Sequence, residues 1–562
     1  MRPSPLRLPR VANGGWMRYR TLQRLRRDAV VVMPCAAALL IALPLVIHGL
    51  PDYESHLGEE YQPLKALKFF QSRGREFHKW GPADNFLYAP GYALSLLYWK
   101  HRGTFGPASN RFPYGFHQPL RQLTALILQS RILLLSFLLF SLAMLALSLV
   151  QAGFSRLAAC FALLVCLATN PVMIWEAVVL KADGPMIGFS SLALAFYVIA
   201  VRSSPTRARA FWLFTFIAWA VSAKELAIPL FLLPCAAILF EAFKRSSTAE
   251  VRARWREALR VGALTFAGWY VLLNVVYAPA TWLRRVSYAL KGPDPEVWGA
   301  PDRPLSRYLV EIFQALTDNL GPGGISAAAC CLAALIWLRP KGAWLLALPG
   351  VSFILLGFLP LGYFPDRFAL PAALALTPLV ACAVDALRER LPARGLGLAL
   401  ASMGTSNLVY ANIAWLQLDS RPEDLIENYV RAHLAKDESF SVFSFWPRIP
   451  GKSRLEALGY RLDPRPMGVV IRSGADLPKN VFITSEQQTW VEDLARMPKR
   501  AAMVSQETGF EPADWNCFKK LGYRLALELR SPLPRWYPFG FLPLPASAAG
   551  AAVLVYRLDP ST

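Results

Sequence analysis

The sequence is short of charge, and the charge it has leans to one sign. Charged residues make up 17% of 562, and Lys and Arg outnumber Asp and Glu by 60 to 38, a formal +22. With 54% apolar residues and a mean hydropathy of +0.32, this composition excludes an ordinary soluble enzyme of such length. Cysteine outside apolar segments is scarcer still. Seven of the eight (Cys35, Cys160, Cys166, Cys235, Cys330, Cys331, Cys382) sit in apolar runs, where a thiol behaves as a small hydrophobe. Cys517 stands alone in the C-terminal part, which excludes an intrachain disulfide framework there. Five of the six histidines fall between His48 and His117, without H-x-x-x-H or C-x-x-C spacing, so no zinc site is expected. There is no internal repeat, and the C-terminal part has neither a phosphate loop nor a nucleophile elbow.

What the chain has is apolar blocks, many near the ~20 residues that cross a ~30 Å hydrocarbon core as helix. Eleven candidate spans cover residues 29–50, 123–150, 157–174, 185–201, 211–223, 226–243, 261–277, 325–338, 343–361, 368–387 and 396–416. The fifth and eighth are short, so one of them is expected to be broken or tilted. The apolar stretch from Phe86 to Trp99 is shorter again and reads as an interfacial or re-entrant helix. The expectation is a polytopic α-helical membrane protein with about 11 transmembrane helices over 29–418, preceded by a basic segment, 1–28.

Lys and Arg set the orientation, because cytoplasmic loops retain cationic residues. The N-terminal segment holds eight arginines, from Arg2 to Arg27, and every second connection thereafter is basic: Arg156; Arg202, Arg207 and Arg209; Lys244 through Arg260; Arg339 and Lys341; Arg388, Arg390 and Arg394. The large positive charge is therefore a topogenic signal, and no nucleic acid is expected as partner. "GLPDYES" lacks a small-x-small cleavage site, so the first run reads as a retained helix rather than a signal peptide. In this register the outer side receives a long loop, 51–122, the connections at 170–184, 224, 278–324 and 364–367, and everything after 418.

The last part, 419–562, mixes helical periodicity in "EDLIENYVRAHLA" with strand-like "FSVFSF", "NVFITS", "LALELR" and "AAVLVYRL". "FKKLGY" reads as a helix ending at glycine. A small extracytoplasmic α/β domain is expected, with "RSPLPRWYPFGFLPLPAS" as a proline-rich loop at the membrane interface.

Several patches, most of them charged, fall on the predicted outer side in a fixed order. They are "SHLGEEYQPLKALKFF" with Glu59 and Glu60, "NFLYAPGYALSLLYW", "SRILLLSF" with Arg131, "NPVMIWEAVVLKADGPM" with Lys181 and Asp183, "AVSAKELAIPL" with Lys224, and "DRFALPAALALTPL" with Arg367. In this order they resemble the membrane glycosyltransferases of the GT-C superfamily, in the branch of protein O-mannosyltransferases and the lipid A aminoarabinose transferase. That family carries an Asp-Glu pair in its first outer loop; here Glu59 stands at the Asp position. The resemblance implies a GT-C-like fold and an inverting transfer of a monosaccharide from a polyprenyl-phosphate donor to a lipid, glycan or protein acceptor. It also implies action on the outer face of a bacterial-type inner membrane or the lumenal face of the endoplasmic reticulum, typically without a metal or other cofactor.

Such a transfer needs a base for the acceptor proton and cations for the departing phosphate. A phosphate leaves readily without protonation, unlike the sugar leaving groups of glycoside hydrolysis, so one carboxylate suffices. The resemblance assigns Glu59 as base with Glu60 as its alternative, Lys224 and Arg367 as phosphate ligands, Lys181 and Arg131 as further cations, and Asp183 as partner of sugar or acceptor hydroxyls. From the residues alone, plainer readings stand beside these. Glu59 and Glu60 suit a solvated helix start, Asp183 and Lys181 an interfacial charge pair, and Lys224 and Arg367 snorkelling helix ends. Arg131, ionisable within a span, is costly and points to a function or to a neighbouring acid. Asp52 and Glu54 have the D-x-E spacing of a divalent-metal site and read as a solvated turn. Alternatives of another class are a transporter or lipid flippase, which would want pseudo-symmetric broken helices, and a non-catalytic membrane scaffold.

Overall fold

In a computed structural model the chain is described at residues 33–47, 50, 83–107, 115–178, 182–203, 205–243, 248–277, 279, 282–283, 285–287, 305–340, 342–358, 366–418, 422–442, 455, 459–462, 478–484, 488, 516–518, 520–529 and 553–558. It is a polytopic helical membrane protein followed by a small mixed sheet. Among the described residues six helices are long and apolar enough to cross a membrane: Pro119–Gln151, Asp183–Arg202, Glu225–Phe243, Ala249–Val276, Tyr308–Leu338 and Arg367–Arg388. Shorter apolar helices cover Met33–Ile47, Arg156–Ala168 and Ala343–Phe358.

In chain order the helices are α1 (Met33–Ile47), α2 (Ala83–His101), α3 (Pro119–Gln151), α4 (Arg156–Leu163), α5 (Pro171–Glu176), α6 (Asp183–Arg202) and α7 (Arg207–Ala223). They continue as α8 (Ile228–Phe243), α9 (Ala249–Tyr270), α10 (Leu305–Leu338), α11 (Ala343–Phe353), α12 (Leu370–Arg388), α13 (Ala393–Leu418) and α14 (Pro422–His433). The described residues of the eleven expected apolar runs lie almost entirely on these helices and their π-helical continuations. The centre is α6, nearly all of it buried, packed between α3 and α7. Its glycines permit that closeness: a Cβ on Gly188 would lie 2.3 Å from the Phe137 ring of α3. In lipid, where apolar contact alone gives little drive for association, such close approach supplies the dispersion that holds helices together.

Three elements add to or differ from the sequence expectation: the third run is divided, the eighth is broken as one short run was expected to be but begins earlier, and the stretch from Phe86 forms part of a longer helix. The third run, 157–174, is two helices, because Asn170 stops the first and caps the second: its side chain accepts from Met173 N at 2.9 Å, and Pro171 occupies the first helical position. The eighth run extends back to Leu305, and the helix is broken at Gly321, with φ 66 and ψ 175, a conformation open to glycine. Asn407 of α13 clamps the break. Its Nδ2 donates to Leu320 O at 2.8 Å and Val165 O at 3.0 Å, and its Oδ1 accepts from Gly324 N at 3.0 Å. Phe86 to Trp99 belongs to α2, which packs on α3, α6 and α7 and leaves Leu94, Leu97 and Tyr98 exposed.

The C-terminal sheet has the order β2-β1-β3-β5-β4, with β1 (Ser439–Val442), β2 (Arg461–Leu462), β3 (Asn480–Thr484), β4 (Tyr523–Leu529) and β5 (Val553–Leu558). β1 runs parallel to both β2 and β3, while β5 is antiparallel to β3 and β4. Alternating apolar residues of these strands meet α14 in a separate core containing Ile426, Val430, Phe440, Phe482 and Val555. Gly522 has φ 87, as a helix-ending glycine before β4 requires.

Candidate functional site

Asp183, Lys224 and Arg367 come from stretches far apart in sequence and meet at one end of the helix bundle. Asp183 opens α6, where a negative charge complements the positive end of the helix dipole. Lys224 caps α7. It leaves the helix in an extended conformation, φ −155 and ψ 135, while its N–H still donates to Ala220 O at 3.0 Å. A cation there is also favoured by the dipole. Arg367 lies in the 3-10 turn Asp366–Ala369 that leads into α12. A cation at a helix start gains nothing from the dipole, so its placement calls for another partner.

That partner is Asp183. Lys224 Nζ lies 2.6 Å from Asp183 Oδ1, and Arg367 Nε lies 3.9 Å from Asp183 Oδ2. One carboxylate thus faces two cations. The Asp183 and Lys224 side chains are 4% and 11% exposed, and that of Arg367 28%. The Phe368 ring faces both cations, with Lys224 Nζ 4.8 Å and the Arg367 guanidinium carbon 5.7 Å from its centroid. A buried ion pair needs such secondary contacts, because desolvation of both charges offsets much of their attraction.

Gly184 makes the Asp183 position reachable. A Cβ there would stand 2.5 Å from the Glu176 carbonyl oxygen and 3.1 Å from the Leu134 methyls, so only glycine lets α6 start against the end of α5. The 3-10 turn bearing Arg367 packs against α5 and α10, which carry the buried acids Glu176 and Asp318. The start of α6 is covered by α2: Tyr88 and Tyr92 share an apolar cluster with Ala182, and Tyr92 meets Ser130 through their hydroxyls at 2.5 Å.

The other residues singled out from sequence fare differently. Glu59, Glu60 and Lys181 lie outside the described residues, as do Asp52 and Glu54. Arg131 is fully buried and donates to the carbonyls of Val46 at 3.1 Å and Leu45 at 3.4 Å, at the C-terminal end of α1. There it satisfies helix-end carbonyls and complements the dipole. Sequence reasoning passed over Phe368, Glu176, Asp318, Glu225 and Arg285. The only signal for Glu225 was its place beside Lys224, and Arg285 had none beyond its charge.

No protein-family model matches the chain, and no curated protein matches it in sequence. Among solved structures it is similar over most of its length to ArnT from Cupriavidus metallidurans bound to undecaprenyl phosphate. Identity there is 11%, coverage 94% of this chain and 98% of that one, and the TM-score 0.47. The oligosaccharyltransferase of Archaeoglobus fulgidus in complex with Zn and sulfate is 12% identical over 90% of this chain and 72% of that one, with a TM-score of 0.40. The S. cerevisiae Pmt1-Pmt2 protein O-mannosyltransferase complex bound to the sugar donor is 15% identical over 54% and 38%, with a TM-score of 0.31. All three likenesses are distant, and none gives any residue of this chain a role.

Proposed function

We propose that this chain is an integral membrane glycosyltransferase of the GT-C kind, which moves a monosaccharide from a polyprenyl-phosphate donor to an acceptor hydroxyl with inversion. The observation that carries the reading is the convergence of Asp183, Lys224 and Arg367. Three charged residues, picked out by resemblance and lying at the ends of apolar helices, form one cationic cluster with Lys224 Nζ 2.6 Å and Arg367 Nε 3.9 Å from Asp183. A pair of cations at the end of an apolar bundle suits a ligand with a phosphate head and a hydrocarbon tail.

In this reading Lys224 and Arg367 hold the donor phosphate, Lys as a point charge and Arg as a fork. Asp183 spaces the two cations and offers its remaining lone pairs to sugar or acceptor hydroxyls. Glu59, with Glu60 as the alternative, takes the acceptor proton. The acceptor oxygen then attacks the anomeric carbon from the face opposite the phosphate. The bond from that carbon to the phosphate oxygen breaks, the electron pair leaves with the polyprenyl phosphate, and the cations absorb its charge. Arg131 acts at a distance by holding the outer end of α1, from which the loop with Glu59 departs. The membrane is a bacterial-type inner membrane with the N-terminus cytoplasmic, and residues 419–562 form a domain on the outer side.

The test is transfer from purified polyprenyl-phosphate sugars to envelope lipids and proteins by the protein in nanodiscs. Glu59→Gln keeps size and polarity but cannot accept a proton, so turnover is expected to fall about 10² to 10⁴-fold with donor binding retained. Normal turnover in both Glu59→Gln and Glu60→Gln would refute the base. The break in α10 at Gly321 favours a second reading, transport, since transporter sites are built at discontinuous helices. That reading predicts movement of lipid-linked sugar across proteoliposomes with no transfer product.

A further inference from the structure

Arg285 lies in the connection between α9 and α10, outside every motif discussed above, yet its guanidinium reaches the chain on both sides of Lys224. Its Nη2 donates to Val221 O at 3.3 Å and its Nη1 to Ser222 O at 3.4 Å, in the last turn of α7. Its Nε pairs with the Glu225 carboxylate, immediately after Lys224. Nη1 also donates to Asn274 Oδ1 at 3.1 Å, and Asn274 returns to the same turn through Nδ2, 2.7 Å from Ser222 Oγ. The Arg285 side chain is 11% exposed and Asn274 is buried.

Physical need explains the arrangement. Lys224 leaves the helix extended, so the carbonyls of Val221 and Ser222 have no helical N–H to accept from. Left open in a largely water-free setting they would draw the chain back into helix or into other turns, and either would carry Lys224 away from Asp183. A planar guanidinium with five N–H groups in fixed directions satisfies two carbonyls and a carboxylate together, and its charge suits the negative end of α7. A lysine provides one point of attachment and cannot reproduce this.

We infer that Arg285 is a positioning residue for Lys224: by bracketing residues 221–225 it fixes the turn from which the Lys224 ammonium reaches Asp183. The brace itself is independent of the ligand. Its consequence for the donor rests on the reading of Lys224 as a phosphate ligand.

The experiment compares wild type, Arg285→Gln, Arg285→Lys and Glu225→Gln, as full-length protein in nanodiscs. Three quantities are read: hydrogen exchange along the chain, competitive acylation of Lys224 followed by mass spectrometry, and binding of undecaprenyl phosphate. In Arg285→Gln, exchange of the amides from Val221 to Ala227 and acylation of Lys224 should rise about tenfold or more, while α4 and β3 remain as protected as in wild type. Arg285→Lys should recover only a minor part of the protection. Unchanged exchange and acylation at Lys224 in Arg285→Gln would overturn the proposal. If Arg285→Gln loses protection everywhere, Arg285→Lys decides: it keeps the charge but not the planar fork, and an unaltered Lys224 in that variant overturns the proposal too; Glu225→Gln, which keeps the carbonyl contacts, should loosen Lys224 less than Arg285→Gln does. The donor reading fails separately, and leaves the brace intact, if Lys224 is loosened while undecaprenyl phosphate binds as tightly as to wild type.

Discussion

Replacing Asp183 by Asn removes one negative charge and almost nothing else. With Lys224 Nζ 2.6 Å from one carboxylate oxygen and Arg367 Nε 3.9 Å from the other, Coulomb attraction at an effective dielectric constant of about 20 amounts to about 6 and about 4 kcal/mol. Most of this is cancelled by the cost of taking the charges out of water, whereas deleting one member of a buried pair typically costs about 3–5 kcal/mol. Asp183→Asn should therefore lower the stability of the ligand-free protein by about that amount. The cations it leaves are the ones assigned to the donor phosphate. A phosphate that enters between them restores the missing charge, so undecaprenyl phosphate should stabilise the variant more than it stabilises wild type. A ligand at about 100 times its Kd contributes about 2.7 kcal/mol, and a tighter-binding variant gains more at the same concentration. Unfolding followed by intrinsic fluorescence at fixed scan rate, with and without undecaprenyl phosphate, reads both effects. A variant that melts with wild type and responds equally to the lipid would refute the electrostatic reading of the site.

Other expectations follow from the geometry around it. Gly184→Ala puts a Cβ 2.5 Å from the Glu176 carbonyl oxygen, so the start of α6 must shift; donor binding should weaken at least as much as stability falls, and equal binding in a folded variant would contradict the role of that contact. Asn407→Leu fills the space but leaves the Gly324 N–H and the Leu320 carbonyl at the α10 break without their clamp, at an expected cost of about 1–3 kcal/mol in unfolding measurements. An unaltered melting profile for that variant would mean the break is held by backbone packing alone.

What the sequence made legible was decided by periodicity and by resemblance. Long apolar runs have few alternatives to helix in lipid, and the described residues of all eleven fall almost entirely on helices. Asp183, Lys224 and Arg367, whose places at helix ends alone fit snorkelling or an interfacial charge pair equally well, stood out through the resemblance of the patches that carry them. The start of α10 did not: "GPGG" at 321–324 reads as a stop, and only the clamp from Asn407, 83 residues away from Gly324, shows how helix continues on both sides of a break. The Asn170 cap was hidden because Pro171 and its neighbours continue the apolar character of the run. Arg285 was illegible for a related reason: its partners around Lys224 lie 60 to 64 residues earlier, and helix-end carbonyls leave no mark in a sequence. In the C-terminal part, alternating strands were readable, but the two-residue β2 is too short to carry a period.

In the proposed reading Lys224 and Arg367 hold the phosphate of a polyprenyl-linked donor. Its most direct test is an experimental structure of the protein in nanodiscs saturated with undecaprenyl phosphate. Phosphate density is expected within ion-pair reach of Lys224 Nζ and the Arg367 guanidinium, beside Asp183, with the hydrocarbon chain running along the apolar helices. A phosphate bound at any other place, with the Lys224–Asp183–Arg367 cluster unchanged and empty, would contradict it.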